Sequence, residues 1–315
     1  MRPRLPCARL VLAALLAAVA PVGRGQESDY DAPRQVCRVS DPRLSEASGL
    51  AASHRHPGYY YTHNDSGGRP EVYLLDRRGR IYATIVLRGA ENFDYEDIAL
   101  APAAGGRWEV CVADIGDNLR QRRTITIYRF AEPALPPSAG QTIALVPRVL
   151  RGRYPDGPHD AEGFAVDPRD GVGYVLTKQR SGACRVYRLP TWTAEDPVEL
   201  QYVGQLRFPP GTLPLARMVT AADFAPDGRR FAVRSYVGGW EWRLAGHGRR
   251  GASQPASRPG RPPAFLRRVP EPLILPAEPQ GEALCYGPAG HSLLTISEGS
   301  PTILYEIRRL GQRRP

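Results

Sequence analysis

The chain is short of several things that would simplify its reading. It has one lysine, Lys178, among 42 basic residues, only two methionines, and five cysteines with no C-x-x-C spacing. No stretch beyond the first 25 residues approaches 18 uninterrupted apolar positions, which excludes a membrane-spanning helix there. There is no H-E-x-x-H, no G-x-S-x-G, no phosphate-binding P-loop, no dinucleotide-binding G-x-G-x-x-G after a strand and no D-x-D-x-D-G calcium loop. The familiar short motifs of catalysis therefore give no lead.

What is present begins with a leader. Arg2, Arg4 and Arg9 precede an apolar run from Leu10 to Val19, and small residues surround Gly23 and Gly25, so residues 1–25 read as a signal peptide with no lipidation cysteine behind it. A soluble, exported monomer is expected, secreted or periplasmic/extracellular. Cys37, Cys111, Cys184 and Cys285 then permit two disulfides in three pairings, or four buried thiols.

The net charge of +10 is misleading. Four Arg fall in the leader, seven lie between Arg243 and Arg268 with no acid among them, and four end the chain; without these fifteen the body is near −5. Basic residues in a Pro/Gly-rich insert at about 245–264 and a tail at 311–315 are not the folded basic face with stacking aromatics that nucleic acid requires. Nucleic acid is excluded as a partner on this ground.

Five segments share one pattern of a small or acidic residue, Gly, Asp or Ala, a large apolar residue and a small one. They are Ser48-Gly-Leu-Ala51, Glu96-Asp-Ile-Ala99, Glu162-Gly-Phe-Ala165, Ala222-Asp-Phe-Ala225 and Glu282-Ala-Leu-Cys285. Each leads through a turn into a short apolar strand, a polar loop and a third strand with a central aromatic, such as Tyr73, Tyr128, Tyr187, Trp242 and Tyr305. Units of this length, built of alternating strands, predict an all-β fold, a β-propeller of five blades within residues 26–310. A sixth blade is the alternative if residues 131–152 hide a degenerate copy. The segment from Gln35 to Val39 is expected to close the ring as the outermost strand of the last blade.

In a propeller the first strand of each blade lines the central channel. That places Ser48, Glu96, Glu162, Ala222 and Glu282 toward one axis, with Asp94, Asp97, Asp160 and Asp223 as alternative inward-facing acids. Converging carboxylates repel unless protonated, hydrated or bridged, and a hard cation such as calcium, which takes six to eight oxygens, would bridge them. The loops after each second strand bring His63, Asp65, Asp114 and Lys178 to one mouth. There His63 could act as acid or base, Asp65 or Asp114 could hold a metal or water, and Lys178 with Arg234 could stabilise an anion. Asn-Asp-Ser-Gly and Gly-Asp-Asn are also favoured turn sequences, which explains these loops without chemistry. The remaining histidines read as exposed loop residues.

The motifs Glu46-Ala-Ser-Gly-Leu50, His63-Asn-Asp-Ser-Gly67, Tyr95-Glu-Asp-Ile-Ala99, Ala113-Asp-Ile-Gly-Asp-Asn118 and Asp160-Ala-Glu-Gly-Phe-Ala165 resemble those of a family of uncharacterised exported bacterial β-propellers. More distantly, the channel series is similar to the calcium-ligand ring of five-bladed apyrases, with phytases and lactonase-like propellers as looser analogies. That second resemblance implies calcium on Ser48, Glu96, Glu162 and Glu282, with Ala222 leaving one position short. It implies a metal-dependent hydrolase acting on a small anionic substrate such as a phosphoester or lactone. The alternative is a non-catalytic envelope module binding a protein, peptide or glycan.

Overall fold

The computed structural model describes residues 29–190, 196–244 and 262–311. The expected leader, most of the basic insert and most of the tail lie outside the described residues. Among those described, helix is confined to three short 3-10 turns, and the rest is strand and loop.

In chain order, β1 (Arg34–Val39) stands apart from the segment that follows it. The first blade is β2 (Ala47–Ala52), β3 (Tyr60–Asn64), β4 (Glu71–Leu75) and β5 (Ile81–Leu87). The second contains β6 (Tyr95–Ala103), β7 (Arg107–Asp114) and β8 (Ile125–Ala131). Then β9 (Gln141–Leu145) returns to lie parallel on β5, and β10 (Arg148–Arg153) completes the second blade against β8. The third blade is β11 (Ala161–Val166), β12 (Gly173–Thr177) and β13 (Arg185–Arg188). After β14 (Val198–Glu199), which adds to β10, it is completed by β15 (Gln201–Gln205). The fourth is β16 (Val219–Phe224), β17 (Arg230–Ser235), β18 (Gly238–Arg243) and β19 (Glu271–Leu273). The fifth is β20 (Gly281–Tyr286), β21 (Ser292–Ser297) and β22 (Thr302–Arg308), with β1 antiparallel on β22 as its outer strand.

The molecule is thus a five-bladed β-propeller closed by its own N-terminal strand. Residues 131–152 form no sixth blade; their two strands extend the outer edges of the first and second, covering backbone groups that an exposed edge would leave open. Each innermost strand packs against the next around the ring, and β20 meets β2.

The composition of these strands follows from their place. Five of them converge on one axis, so β2 (Ala-Ser-Gly-Leu-Ala-Ala) is buried at every position and is mostly small residues. Gly49 lies so close to the His63 ring and Ile98 that a methyl there would collide with both. Farther out the blades thicken, and Tyr, Phe and Trp fill the space between neighbouring sheets, as with Phe231, Trp242 and Phe265 between the third and fourth blades. The four cysteines stand as buried free thiols.

Two acids tie the blades together at the axis. Asp97 accepts hydrogen bonds from the backbone N–H of its neighbour Ile98 (2.9 Å), of Phe164 in the third blade (2.8 Å) and of Ala222 in the fourth (3.0 Å). Asp223 accepts from Phe224 (2.8 Å) and from Tyr286 in the fifth blade (2.8 Å). Innermost strands have no ladder partner on their axial side, and these carboxyls supply one. Removing Asp97 strands two inter-blade amides in a dry axis, at about 1–3 kcal/mol each. Asp97→Ala is expected to lower the unfolding free energy in urea by about 3 kcal/mol. A loss under about 0.5 kcal/mol, the scatter of ordinary surface changes, would show that the blades do not depend on it.

Candidate functional site

Every innermost strand begins with a β-bulge. The pairing register shifts between Ala47 and Gly49, Tyr95 and Asp97, Ala161 and Gly163, Val219 and Ala221, and Gly281 and Ala283. The extra residues are Ser48, Glu96, Glu162, Thr220 and Glu282. A bulge re-aims one side chain without ending the strand.

The bulge corrects the repeat alignment in the fourth blade, where the equivalent residue is Thr220 rather than Ala222. A signal for this existed in the sequence. Pro102, Pro168 and Pro288 each follow the bulged residue by six positions, and Pro226 lies six after Thr220 but four after Ala222. The true series is Ser, Glu, Glu, Thr, Glu. Its two hydroxyls act alike: Ser48 Oγ donates to the Glu96 carbonyl (2.8 Å) and Thr220 Oγ1 to the Gly281 carbonyl (3.0 Å), each linking a blade to the next.

The same pairing ranks the mouth residues. Asn64, Asp114, Thr177, Ser235 and Ser297 are the last paired positions of the second strands. The next residues are Asp65, Ile115, Lys178, Tyr236 and Glu298. In four blades the N–H of that residue donates to a carbonyl two places before the bulge: Asp65 to Glu46 (2.9 Å), Ile115 to Asp94 (3.2 Å), Lys178 to Asp160 (2.9 Å) and Glu298 to Gln280 (3.2 Å). His63, Asp114 and Lys178, read from the sequence as equivalent, therefore occupy three successive ranks. Tyr236, which sequence reasoning did not single out, shares the rank of Asp65 and Lys178.

These ranks gather Glu46, Asp94 and Asp160, then Glu96, Glu162 and Glu282, then Asp65 and Glu298. Within this set Asp65, Asp94 and Glu96 each offer a carboxylate oxygen, all within 4.8 Å of one another. No hydrogen-bond donor among the described residues reaches any of the three, and Asp65 Oδ1 is buried without a partner. Gly116 permits the approach, since a side chain there would collide with both the Asp94 and Glu96 carboxylates.

The other candidates are differently engaged. Glu162 forms an ion pair with Lys178, which also donates to the Tyr236 hydroxyl (3.2 Å); Glu162 Oε2 is buried and unpartnered. Glu282 accepts from Gln280 Nε2 (2.9 Å). Asp114 is paired with Arg122 (2.7 Å) and accepts from the N–H groups of Phe93 (3.3 Å) and Asp94 (3.1 Å), so it holds the backbone that presents Asp94. His63 is fully buried beneath Gly49, its ring edge-on to Tyr95 and Nδ1 3.1 Å from its neighbour's carbonyl. Arg234 is buried against Glu278 (2.6 Å) under Gly281. His54 is not the exposed loop residue expected, because it stacks on Trp108 at 3.9 Å.

Burial and crowding control the titration. Burial, then the neighbouring Asp94, Glu298, Glu282 and Glu46, push the Asp65 carboxyl up to about 8. Burial and Asp160 push Asp94 up to about 6, and burial, Asp65 and Asp94 raise Glu96 well above the carboxylate range. Burial with Glu282 and Glu46 pushes Glu298 up to about 7. His63 goes the other way, to about 4, through burial. No family model matches the chain and no curated protein matches it, so the chemistry is read from this geometry.

Each of these carboxyls keeps its proton to higher pH when folded than when unfolded, near 4. Their contribution to stability is complete below about pH 4 and is lost as pH rises through about 6 to 8. In chelator, the melting temperature is expected to fall by several degrees between pH 5 and pH 8.5, and Asp65→Asn to flatten that fall. A melting temperature that rises over this range would contradict the clustering of Asp65, Asp94 and Glu96.

Proposed function

We propose that this propeller binds a divalent, calcium-type cation at one mouth of its central channel, through Asp65, Asp94 and Glu96. The observation that carries the reading is that these three buried or half-buried carboxylates face one another with no donor between them. An all-oxygen, multiply anionic set of this kind suits a hard cation, with carbonyls, water or a ligand completing six to eight oxygens. This set differs from the ring of Ser48, Glu96, Glu162 and Glu282. The Ser48 hydroxyl is committed to a carbonyl, Glu162 to Lys178 and Glu282 to Gln280, so only Glu96 is common to both.

At the same mouth, Lys178 and the Tyr236 hydroxyl, bonded to each other at 3.2 Å, offer donors to an anion resting on the cation. A phosphoester or lactone oxygen would be polarised by the cation and held by these two groups, which is the basis for reading the site as hydrolytic. His63 is not needed in that scheme, since burial keeps it neutral and remote from solvent. Export fits the same reading, because extracellular calcium modules work at dissociation constants of about 0.1–1 mM.

Calcium titrated at pH 7.5 is expected to raise the melting temperature, by about 2.7 kcal/mol of added stability at a hundredfold excess over the dissociation constant. Asp94→Asn and Glu96→Gln should each weaken calcium binding at least tenfold by calorimetry while the variants still melt cooperatively. If neither calcium, magnesium nor manganese shifts the melting of the wild-type chain, the proposal fails.

A further inference from the structure

The loops that carry the acidic mouth also carry exposed apolar side chains. Phe93 precedes β6, Leu119 lies between β7 and β8, Leu213 precedes β16, Val237 lies between β17 and β18, and Ile274 follows β19 toward β20. All five are more than half exposed. The strand order puts these loops at the end of the ring where the innermost strands begin. Large apolar side chains gathered on one face mark a contact surface.

Inside this apolar rim the charge is one-sided. Arg122 answers Asp114 and Lys178 answers Glu162, which leaves Glu46, Asp65, Asp94, Glu96, Asp160, Glu282 and Glu298 without an ion-pair partner among the described residues. A divalent cation at Asp65, Asp94 and Glu96 offsets two of these charges. Glu46, Glu282 and Glu298 form a further acidic group at the same mouth: the Asp65 N–H donates to the Glu46 carbonyl (2.9 Å), the Gly299 N–H to the Ser45 carbonyl (3.0 Å) and the Glu298 N–H to the Gln280 carbonyl (3.2 Å), which sets the three segments side by side. Glu162, only 4% exposed, keeps its Oε2 unpartnered beside the same channel.

From these observations we infer that the mouth is a docking surface for a polypeptide segment in which Arg or Lys side chains alternate with apolar ones. The cationic side chains enter the channel toward Glu282, Glu298 and Glu162, and the apolar ones rest on Phe93, Leu119 and Val237. Charge complementarity selects the partner, and the apolar rim, carried on loops of the second and fourth blades, suits a chain rather than a small ion. The inference rests on Glu282, Glu298 and Glu162, none of which is a ligand of the proposed cation, so it is tested both with and without calcium.

The test uses fluorescence anisotropy of a labelled, capped Phe-Arg-Leu-Arg-Phe peptide against its Phe-Glu-Leu-Glu-Phe counterpart, in chelator and in calcium. The arginine peptide is expected to bind at least tenfold tighter than the glutamate peptide in both buffers. Binding should weaken at least fivefold in Glu282→Gln/Glu298→Gln and, separately, in Phe93→Ser/Leu119→Ser. Both side chains of the second pair are more than half exposed, Phe93 touching the fold through the Arg122 guanidinium stacked on its ring (4.5 Å), so unchanged cooperative melting of this variant is confirmed alongside its binding. Equal binding of the two peptides overturns the proposal. So does arginine-peptide binding that ignores Phe93→Ser/Leu119→Ser and is fully displaced by spermidine, which would leave a site for small cations. Peptide binding in chelator reads this proposal alone, whereas calcium calorimetry reads the triad.

Discussion

Five strands that meet edge-on at one axis have no room for bulk and no ladder partner for their inner amides. Most of the molecule answers that constraint. The axis is lined with Ala, Gly and Ser, and the amides that a sheet would have paired are met instead by Asp97 and Asp223, whose carboxyls reach across to other blades. Burial pushes both acids upward while the backbone N–H groups pull them down, the balance expected of carboxyls held by amide donors in a dry site. The outer blades can then be ordinary twisted sheets with aromatic cores.

The bulge is the second consequence. Where the innermost strands enter the axis, a regular pleat would send alternate side chains into neighbouring blades; one extra residue per strand turns Ser48, Glu96, Glu162, Thr220 and Glu282 instead. Two of the five use hydroxyls to clasp the next blade. The three glutamates have less to do for the fold, and two of them have found a partner in Lys178 or Gln280. Glu96 has none, and its neighbours Asp65 and Asp94 have none either.

Much of this was legible in the sequence, because a propeller repeats its physics. Blade count, ring closure by the strand at Arg34–Val39 and the inward place of Glu96, Glu162 and Glu282 follow from copies of one pattern. The failures came from side chains whose environment is set by another blade. Ala222-Asp-Phe-Ala225 imitates the motif two residues out of register, and the even offset keeps the same face, so alternation could not expose the slip. His63 looked like a mouth residue because its loop is polar, yet its side chain belongs to the interior facing Tyr95. Nothing in the local sequence says that Asp114 would be spent on Arg122, since that ion pair depends on a loop folding back over eight residues.

The acids near the axis can be sorted by what faces them. Asp97, Asp223 and Asp114 point at backbone N–H groups or at Arg122, and the fold accounts for them completely. Asp65, Asp94 and Glu96 point at one another, and the fold gains nothing from that arrangement: burial and mutual repulsion both oppose it, as the upward push on all three shows. At the rank of Glu96, the first and fourth blades carry Ser48 and Thr220 instead, whose hydroxyls donate to carbonyls of the next blade. Retaining three crowded carboxyls is a cost to stability that protonation or a positively charged occupant removes. That asymmetry, rather than the number of acids, separates the acidic mouth of the channel from the part that holds the ring together.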